Sequence, residues 1–200
     1  MKISPQRLAR SLIALAGLSM PIGVQAHAVA REPLTLASGG AHPFLALPHV
    51  LALVAVGIWA AELLPSALWV LPLSFLLSEL AGGVAWLVGF PIPEVGVGTA
   101  VSVIVLGSMI LAERRPPTGL AVTMVAFFAL FHAQPHAIIA EPDLGALLYL
   151  GGFLAGSAVL LLGGIAIGLN FHSSKGRSWL RLSGTVILLG GVYCLVEALR

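Results

Sequence analysis

Six long apolar runs follow one another along this chain, and they constrain its fold more than any other feature. A helix crosses the hydrocarbon core of a bilayer with about 20 apolar residues. Backbone groups in lipid must form their hydrogen bonds internally, so runs of this length predict helices. The sequence therefore predicts an all-α membrane protein, a bundle of six transmembrane helices in one domain over residues 27–200. The approximate spans are 43–63, 67–89, 96–112, 119–139, 144–169 and 179–199.

The composition excludes several other classes of protein. Charged residues make up 9% of the chain, whereas a soluble domain has about 25%, so a water-exposed surface could not be covered. The formal net charge of +2 is small and the basic residues are scattered, which disfavours a nucleic-acid partner. The sequence contains no phosphate-binding loop or nucleophile motif. We therefore expect neither an enzyme nor a nucleotide-binding protein.

The first 26 residues have the pattern of an export signal. Lys2, Arg7 and Arg10 form a basic start, residues 12–20 are apolar, and Val-Gln-Ala over 24–26 is a candidate cleavage site. Cleavage after Ala26 would make His27 the mature N-terminus outside the cytoplasm. A retained membrane anchor is the alternative, and it would orient the six later spans in the same way.

The charges between the runs predict the orientation of the bundle. With the mature N-terminus outside, the outer connections contain no lysine or arginine. Because basic residues favour the cytoplasmic side, this pattern indicates the bacterial inner (cytoplasmic) membrane with both mature termini in the periplasm. The inner connections carry Arg114, Arg115, Lys175 and Arg177, and the outer ones carry Glu94, Glu141 and Asp143.

Four histidines lie at the ends of two apolar runs, His42 and His49 at the start of the first and His132 and His136 near the end of the fourth. The two runs cross in opposite directions, so all four should lie on the periplasmic side. His132 and His136 are four residues apart and would share one helical face. Pro48 suits a first helical turn, which would place His42 in an entry loop. Because imidazoles bind nickel, copper, zinc and related ions, we predict a metal site.

Other residues are weaker candidates for the same site. His27, Glu94 and Glu141 would raise the local cation concentration on the periplasmic side. Glu79 is an isolated carboxylate within the second run and could be a deeper metal station. Protonation, or a hydrogen bond to a neighbouring helix, is the alternative for Glu79. Cys194 stands alone, which excludes an intrachain disulfide and favours a small buried residue.

Two stretches resemble the signatures of the HupE/UreJ family. The first is His42-Pro-Phe-Leu-Ala-Leu-Pro-His49 followed by Val-Gly-Ile-Trp-Ala over 56–60, and the second is Phe-His-Ala-Gln-Pro-His over 131–136. The family pattern has an acidic residue where this chain has Pro48. It also has a glutamate where this chain has Ile139, and Glu141 is the nearest acid.

The resemblance implies a secondary permease of the inner membrane that transports nickel or cobalt. It implies His42, His49, His132 and His136 as the metal-site residues, and hydrogenase or urease maturation machinery as partners. No permanent cofactor is expected, since Ni²⁺ or Co²⁺ would be bound or transported. Two alternatives remain open: a membrane metal sensor or metallocentre-assembly accessory protein without transport, and a subunit that binds b-type haem.

Overall fold

A computed structural model describes residues 34–63, 65–133, 143–170 and 176–200. The predicted signal peptide, His27, His136 and Glu141 lie outside these ranges. Within them the chain forms seven helices and no strand, which confirms the all-α class. The helices are α1 (Leu36–Leu45), α2 (Leu47–Glu62), α3 (Val70–Leu87), α4 (Val95–Leu111), α5 (Thr118–His132), α6 (Leu144–Asn170) and α7 (Gly176–Ala198).

The helices differ in whether each is long enough to cross a membrane. Among the described residues, α3, α6 and α7 are long and apolar enough on their own. The pair α1 and α2 qualifies only when taken together, and it bends by 80° at the break. The apolar helices α4 and α5 are shorter, with 17 and 15 residues. Six complete crossings therefore stay a prediction.

The bend between α1 and α2 lies at Ala46, whose backbone is extended. Pro48 occupies the first turn of α2, so the predicted helix start near this proline is confirmed. His42 lies within α1, however, and its predicted placement in a loop is wrong. The reason is a capping box: Thr35 accepts a hydrogen bond from the backbone of Ser38, whose side chain accepts one in return.

The central element of the bundle is α2, and residues 52–53 and 55–62 are all buried. It packs against α6, α4, α7, α1 and α3. A helix that is apolar on every side is expected to be surrounded by other elements. Helices α3, α6 and α7 instead leave many large apolar side chains exposed, as a lipid-facing surface requires. Cys194 on α7 is a buried free cysteine, as predicted.

Glycines allow the helix backbones to approach closely. A Cβ atom on Gly156 of α6 would lie 2.5 Å from the carbonyl oxygen of Gly40 on α1, and one on Gly168 would lie 2.7 Å from Ala61 Cβ on α2. Gly107 and Gly184 form a similar contact between α4 and α7. Helices in lipid associate mainly through such van der Waals packing. The first two contacts fix the positions of α1 and α2, the helices that carry His42 and His49.

Candidate metal centre

Three of the four histidines singled out in the sequence meet at one end of the bundle. His42 comes from α1, His49 from the first turn of α2, and His132 from the last turn of α5. The ring centres of His42 and His49 are 5.3 Å apart, and those of His49 and His132 are 5.0 Å apart. Because α1 turns sharply into α2, the two imidazoles of the first signature face each other across the bend. We call these three residues the histidine cluster.

His49 bonds directly to the end of α5. Its Nε2 lies 2.9 Å from the backbone carbonyl oxygen of His132. A carbonyl oxygen only accepts hydrogen bonds, so Nε2 is the donor and, in the neutral ring, the lone pair lies on Nδ1. The last carbonyls of a helix have no partner within the helix, and this bond satisfies one of them. The side chain of His49 thus links α2 to α5.

His132 is completely buried, with 0% of its surface exposed. Its Nε2 lies 2.8 Å from the Oγ atom of Ser102 on α4, and its ring lies 5.6 Å from that of Phe75 on α3. The other ring nitrogen, Nδ1, is buried and has no hydrogen-bond partner among the described residues. A buried polar atom without a partner costs about 1–3 kcal/mol, so His132 has a binding capacity that the described residues do not use.

Helix α6 supplies the aromatic wall of the cluster. The hydroxyl of Tyr149 lies 2.8 Å from Nδ1 of His42, and either atom can be the donor. The ring of Phe153, one helical turn further on, lies 5.5 Å from the rings of both His42 and His49. No sequence motif indicated Tyr149 or Ser102 as part of this site. The signal for both was a hydroxyl within an otherwise apolar run.

A small cavity adjoins the histidines. Its volume is about 10 Å³, and a single water molecule needs about 10–15 Å³ measured in the same way. The space therefore suits one small molecule or ion. Its lining residues are His42, Trp86, His132, Ala133, Tyr149, Leu150 and Phe153.

The distances between the rings suit a metal ion, but the described ligands do not converge on one point. Two imidazoles bound to one ion at about 2.1 Å would have ring centres about 5 Å apart, close to the observed spacings. The interplanar angles of 81° and 84° do not prevent this, because imidazoles bound to one ion can be perpendicular. In the described part of the chain no three histidine, cysteine or acidic side chains surround a common point. Binding one ion to several of these rings would therefore require side chains to rotate.

Glu79 on α3 is a buried carboxylate near the cluster, with 0% of its surface exposed. The hydroxyl of Ser157 on α6 donates a 3.1 Å hydrogen bond to Oε1. The second oxygen, Oε2, has no hydrogen-bond partner among the described residues. Glu79 lies on α3 between two contacts with the end of α5, at Phe75 and Gly82. The hydrogen bond to a neighbouring helix, left open by the sequence, is therefore present.

The acidic residues at the surface do not join the cluster. Glu94 is exposed at the start of α4, in the left-handed backbone region with a φ of 53°. Asp143 is also exposed, and its Oδ1 accepts a 2.8 Å hydrogen bond from the backbone nitrogen of Ala146 at the start of α6. Ser102 and Tyr149 belong to the first halves of the same two helices, so both acids lie at the histidine end of the bundle.

The similarity of this chain to known proteins extends over all three residues of the histidine cluster. A family model described as HupE / UreJ protein matches residues 13–194. The chain belongs to the HupE/UreJ family. A relative in this family, Protein HupE of Rhizobium leguminosarum bv. viciae, is 36% identical over 182 residues, which cover 91% of this chain and 95% of the relative. No solved structure matches the chain.

Membership of the HupE/UreJ family confirms the resemblance carried by the two signatures. The matched region includes the histidine cluster and also Ser102, Tyr149 and Glu79. The polar groups that the sequence analysis missed thus lie within the family's matched region rather than in an added segment.

Proposed function

We propose that this HupE/UreJ protein is a secondary permease for a divalent transition-metal ion, nickel or cobalt, in the bacterial inner membrane. In this proposal the mature chain crosses the membrane six times after removal of a signal peptide, and both mature termini lie in the periplasm. His42, His49, His132 and His136 bind the ion at the periplasmic side. The observation that carries the proposal is the meeting of the first three imidazoles, from α1, α2 and α5, at one end of an apolar bundle.

The hydrogen bonds around the rings support a metal-binding role. Histidines that bind metal usually donate their other ring N–H to a carbonyl, a carboxylate or water, which fixes the orientation of the ring. Each imidazole of the histidine cluster has such a neighbour: the carbonyl of His132 for His49, the hydroxyl of Ser102 for His132, and the hydroxyl of Tyr149 for His42. Neutral imidazoles are suitable ligands for Ni²⁺ and Co²⁺.

The carboxylates suggest a path for the ion. Glu94, Glu141 and Asp143, together with His27, would attract cations to the periplasmic entrance by simple electrostatics. After the histidine cluster, Glu79 would be the next station, because its Oε2 is buried without a partner among the described residues. Glu79 would also supply negative charge in place of the two acidic residues that the family pattern has at the positions of Pro48 and Ile139. With no nucleotide-binding motif in the sequence, transport would depend on a gradient or on a partner.

Uptake of radioactive metal tests the proposal. We expect His49→Ala and His132→Ala to abolish accumulation of ⁶³Ni or ⁵⁷Co in cells that lack other uptake systems. His172→Ala is the control, because the predicted topology puts this histidine in an inner connection, on the cytoplasmic side. All variants must be compared at equal abundance in the membrane. Unchanged accumulation by His132→Ala would remove this residue from the mechanism.

A second candidate is a metal-binding sensor or accessory protein that passes metal to hydrogenase or urease maturation machinery without transporting it. The two missing acidic residues of the signatures favour it, because Pro48 and Ile139 leave less negative charge to carry an ion through the bundle. Equilibrium binding and flux in proteoliposomes, each measured with nickel, cobalt, zinc and copper, separate the two candidates. Binding without flux would support the accessory role. A Soret band in the purified protein would instead indicate haem.

A further inference from the structure

We propose that Ser102 is a positioning residue that fixes the tautomer of His132, so that the nitrogen this histidine offers to a metal ion is Nδ1. The tautomer follows from hydrogen bonds alone. Its consequence for metal binding rests on the proposed function. Ser102 lies on α4, which carries no histidine, and the sequence analysis gave it no role.

The side chain of Ser102 has a single hydroxyl hydrogen to donate. Its Oγ lies 2.6 Å from the backbone carbonyl oxygen of Thr99, three residues earlier in α4. The carbonyl oxygen can only accept, so the hydroxyl hydrogen of Ser102 must point towards it. Both residues belong to the same regular helix, and the direction of this hydrogen bond is therefore set by the backbone of α4.

The hydroxyl oxygen of Ser102 also contacts the ring of His132. The same Oγ lies 2.8 Å from Nε2 of His132. Because the hydroxyl hydrogen is already donated to Thr99, Oγ accepts here and Nε2 donates. A neutral imidazole carries only one N–H. Nδ1 of His132 therefore keeps its lone pair, in the position where it is buried and has no hydrogen-bond partner among the described residues.

The opposite tautomer would lack a hydrogen bond at each of the two ring nitrogens. It would bury an N–H at Nδ1 with no acceptor among the described residues, and Nε2 would need the hydrogen that Ser102 gives to Thr99. Losing a buried hydrogen bond in this way costs about 1–3 kcal/mol. The lone pair on Nδ1 is thus available to a ligand, and a cation is the kind of ligand that a buried lone pair can bind.

The tautomer can be measured without any metal. The full-length protein is purified in detergent with ¹⁵N-labelled histidine, and the signals of His132 are identified by their loss in His132→Ala. We expect the wild-type ring to carry its proton on Nε2, and Ser102→Ala to give a mixture of the two tautomers. Ser102→Thr keeps a hydroxyl and should restore the wild-type signals.

The matched control is Ser108→Ala on the same helix. The hydroxyl of Ser108 also donates to a backbone carbonyl, that of Ile104 at 2.7 Å, and no hydrogen bond joins it to any of the described histidines. This variant should leave the His132 signals unchanged. Titration with Co²⁺ is the second measurement, and Ser102→Ala should weaken binding by about 10–100-fold, the usual effect of losing a residue that orients a ligand. Ser108→Ala should not weaken it.

The outcomes separate this inference from the proposed function. An Nδ1–H ring in the wild-type protein would overturn the inference and leave the permease proposal unaffected. The expected tautomer combined with Co²⁺ binding that is unchanged in Ser102→Ala would also overturn it, because Ser102 would then not position a ligand. Unchanged metal uptake by His132→Ala would instead contradict the proposed function, whatever the tautomer.

Discussion

The histidine cluster and the contact between α2 and α6 are held together by different chemistry. In the cluster, side chains from different helices bond to one another through hydroxyls, ring nitrogens and a carbonyl, beside a small cavity. Between α2 and α6, Gly57, Gly164 and Gly168 bring backbone directly against backbone. We call this second region the glycine contact.

The difference indicates which region can change when a ligand binds. A side-chain hydrogen bond contributes about 0.5–1.5 kcal/mol, and a metal bond can replace it after a rotation of the ring. The glycine contact has no such freedom, because relieving it would require whole helices to move apart. The glycine contact should therefore govern stability, whereas the histidine cluster should govern binding.

The largest expected effect is on stability, at Gly164. A Cβ atom there would overlap the carbonyl oxygen of Val54 on α2, whereas one on the adjacent Gly163 would have no such neighbour within 4 Å. Gly164→Ala should lower the free energy of unfolding by about 1–3 kcal/mol, as overpacking usually does. Gly163→Ala should be neutral or raise it by up to about 1 kcal/mol, because alanine favours the helix. Thermal unfolding in detergent checks this pair, and equal midpoints would contradict the role given to the glycine contact.

The next effect is on binding, at Glu79. Glu79→Gln keeps the size of the side chain and an oxygen that can accept from Ser157, but the amide cannot ionise to balance a bound cation, so Ni²⁺ uptake should fall about tenfold, which corresponds to about 1.4 kcal/mol. Ser157→Ala removes only the 3.1 Å hydrogen bond to this carboxylate. It should leave uptake within about threefold of the wild type, a cost in line with one hydrogen bond. Equal losses in both variants would mean that the hydrogen bond matters and the charge does not.

A smaller effect is expected at Tyr149. Tyr149→Phe removes the hydroxyl that bonds to His42 but keeps the ring stacked on Phe153, with ring centres 6.4 Å apart. Co²⁺ binding should weaken by about threefold, and unfolding should become easier by about 0.5–1.5 kcal/mol. Tyr193→Phe is the control, because Tyr193 on α7 is 48% exposed. If both variants bind Co²⁺ like the wild type, His42 does not depend on Tyr149 for its orientation.

Most of the fold could be predicted from the sequence because apolar runs specify helices in lipid. The helices α3, α4, α6 and α7 begin and end within three residues of the predicted runs. The first run was predicted as one span, and it breaks at Ala46 instead. Pro48 indicated the start of α2, but α1 depends on the cap at Thr35 and on the close packing of Gly39 against α6. A contact between two helices cannot be recognised from the sequence of one apolar run.

The site was less predictable than the fold, for a related reason. Topology alone indicated that the histidines would share one end of the bundle, and the meeting of His42, His49 and His132 agrees with it. Which hydroxyls face them depends on how each helix is rotated about its own axis. Helices that are apolar on every side give no periodic signal for that rotation. The sequence shows Ser102, Tyr149 and Ser157 as hydroxyls within apolar runs, but only the packed structure shows that they face the site.

The smallest expected effect is at the surface, where Arg181 and Glu113 form an ion pair of 2.7 Å. The two side chains are 63% and 28% exposed, and pairs in such positions usually contribute about 0.2–1 kcal/mol because water and salt screen them. Glu113→Gln should therefore change the free energy of unfolding by less than about 1 kcal/mol and leave Ni²⁺ uptake unchanged. Repeating the unfolding at high salt should reduce even this difference, since the screening length falls to about 3 Å at 1 M. A loss as large as that of Gly164→Ala would mean that charge pairs, and not only backbone contacts, determine how firmly the helices are held.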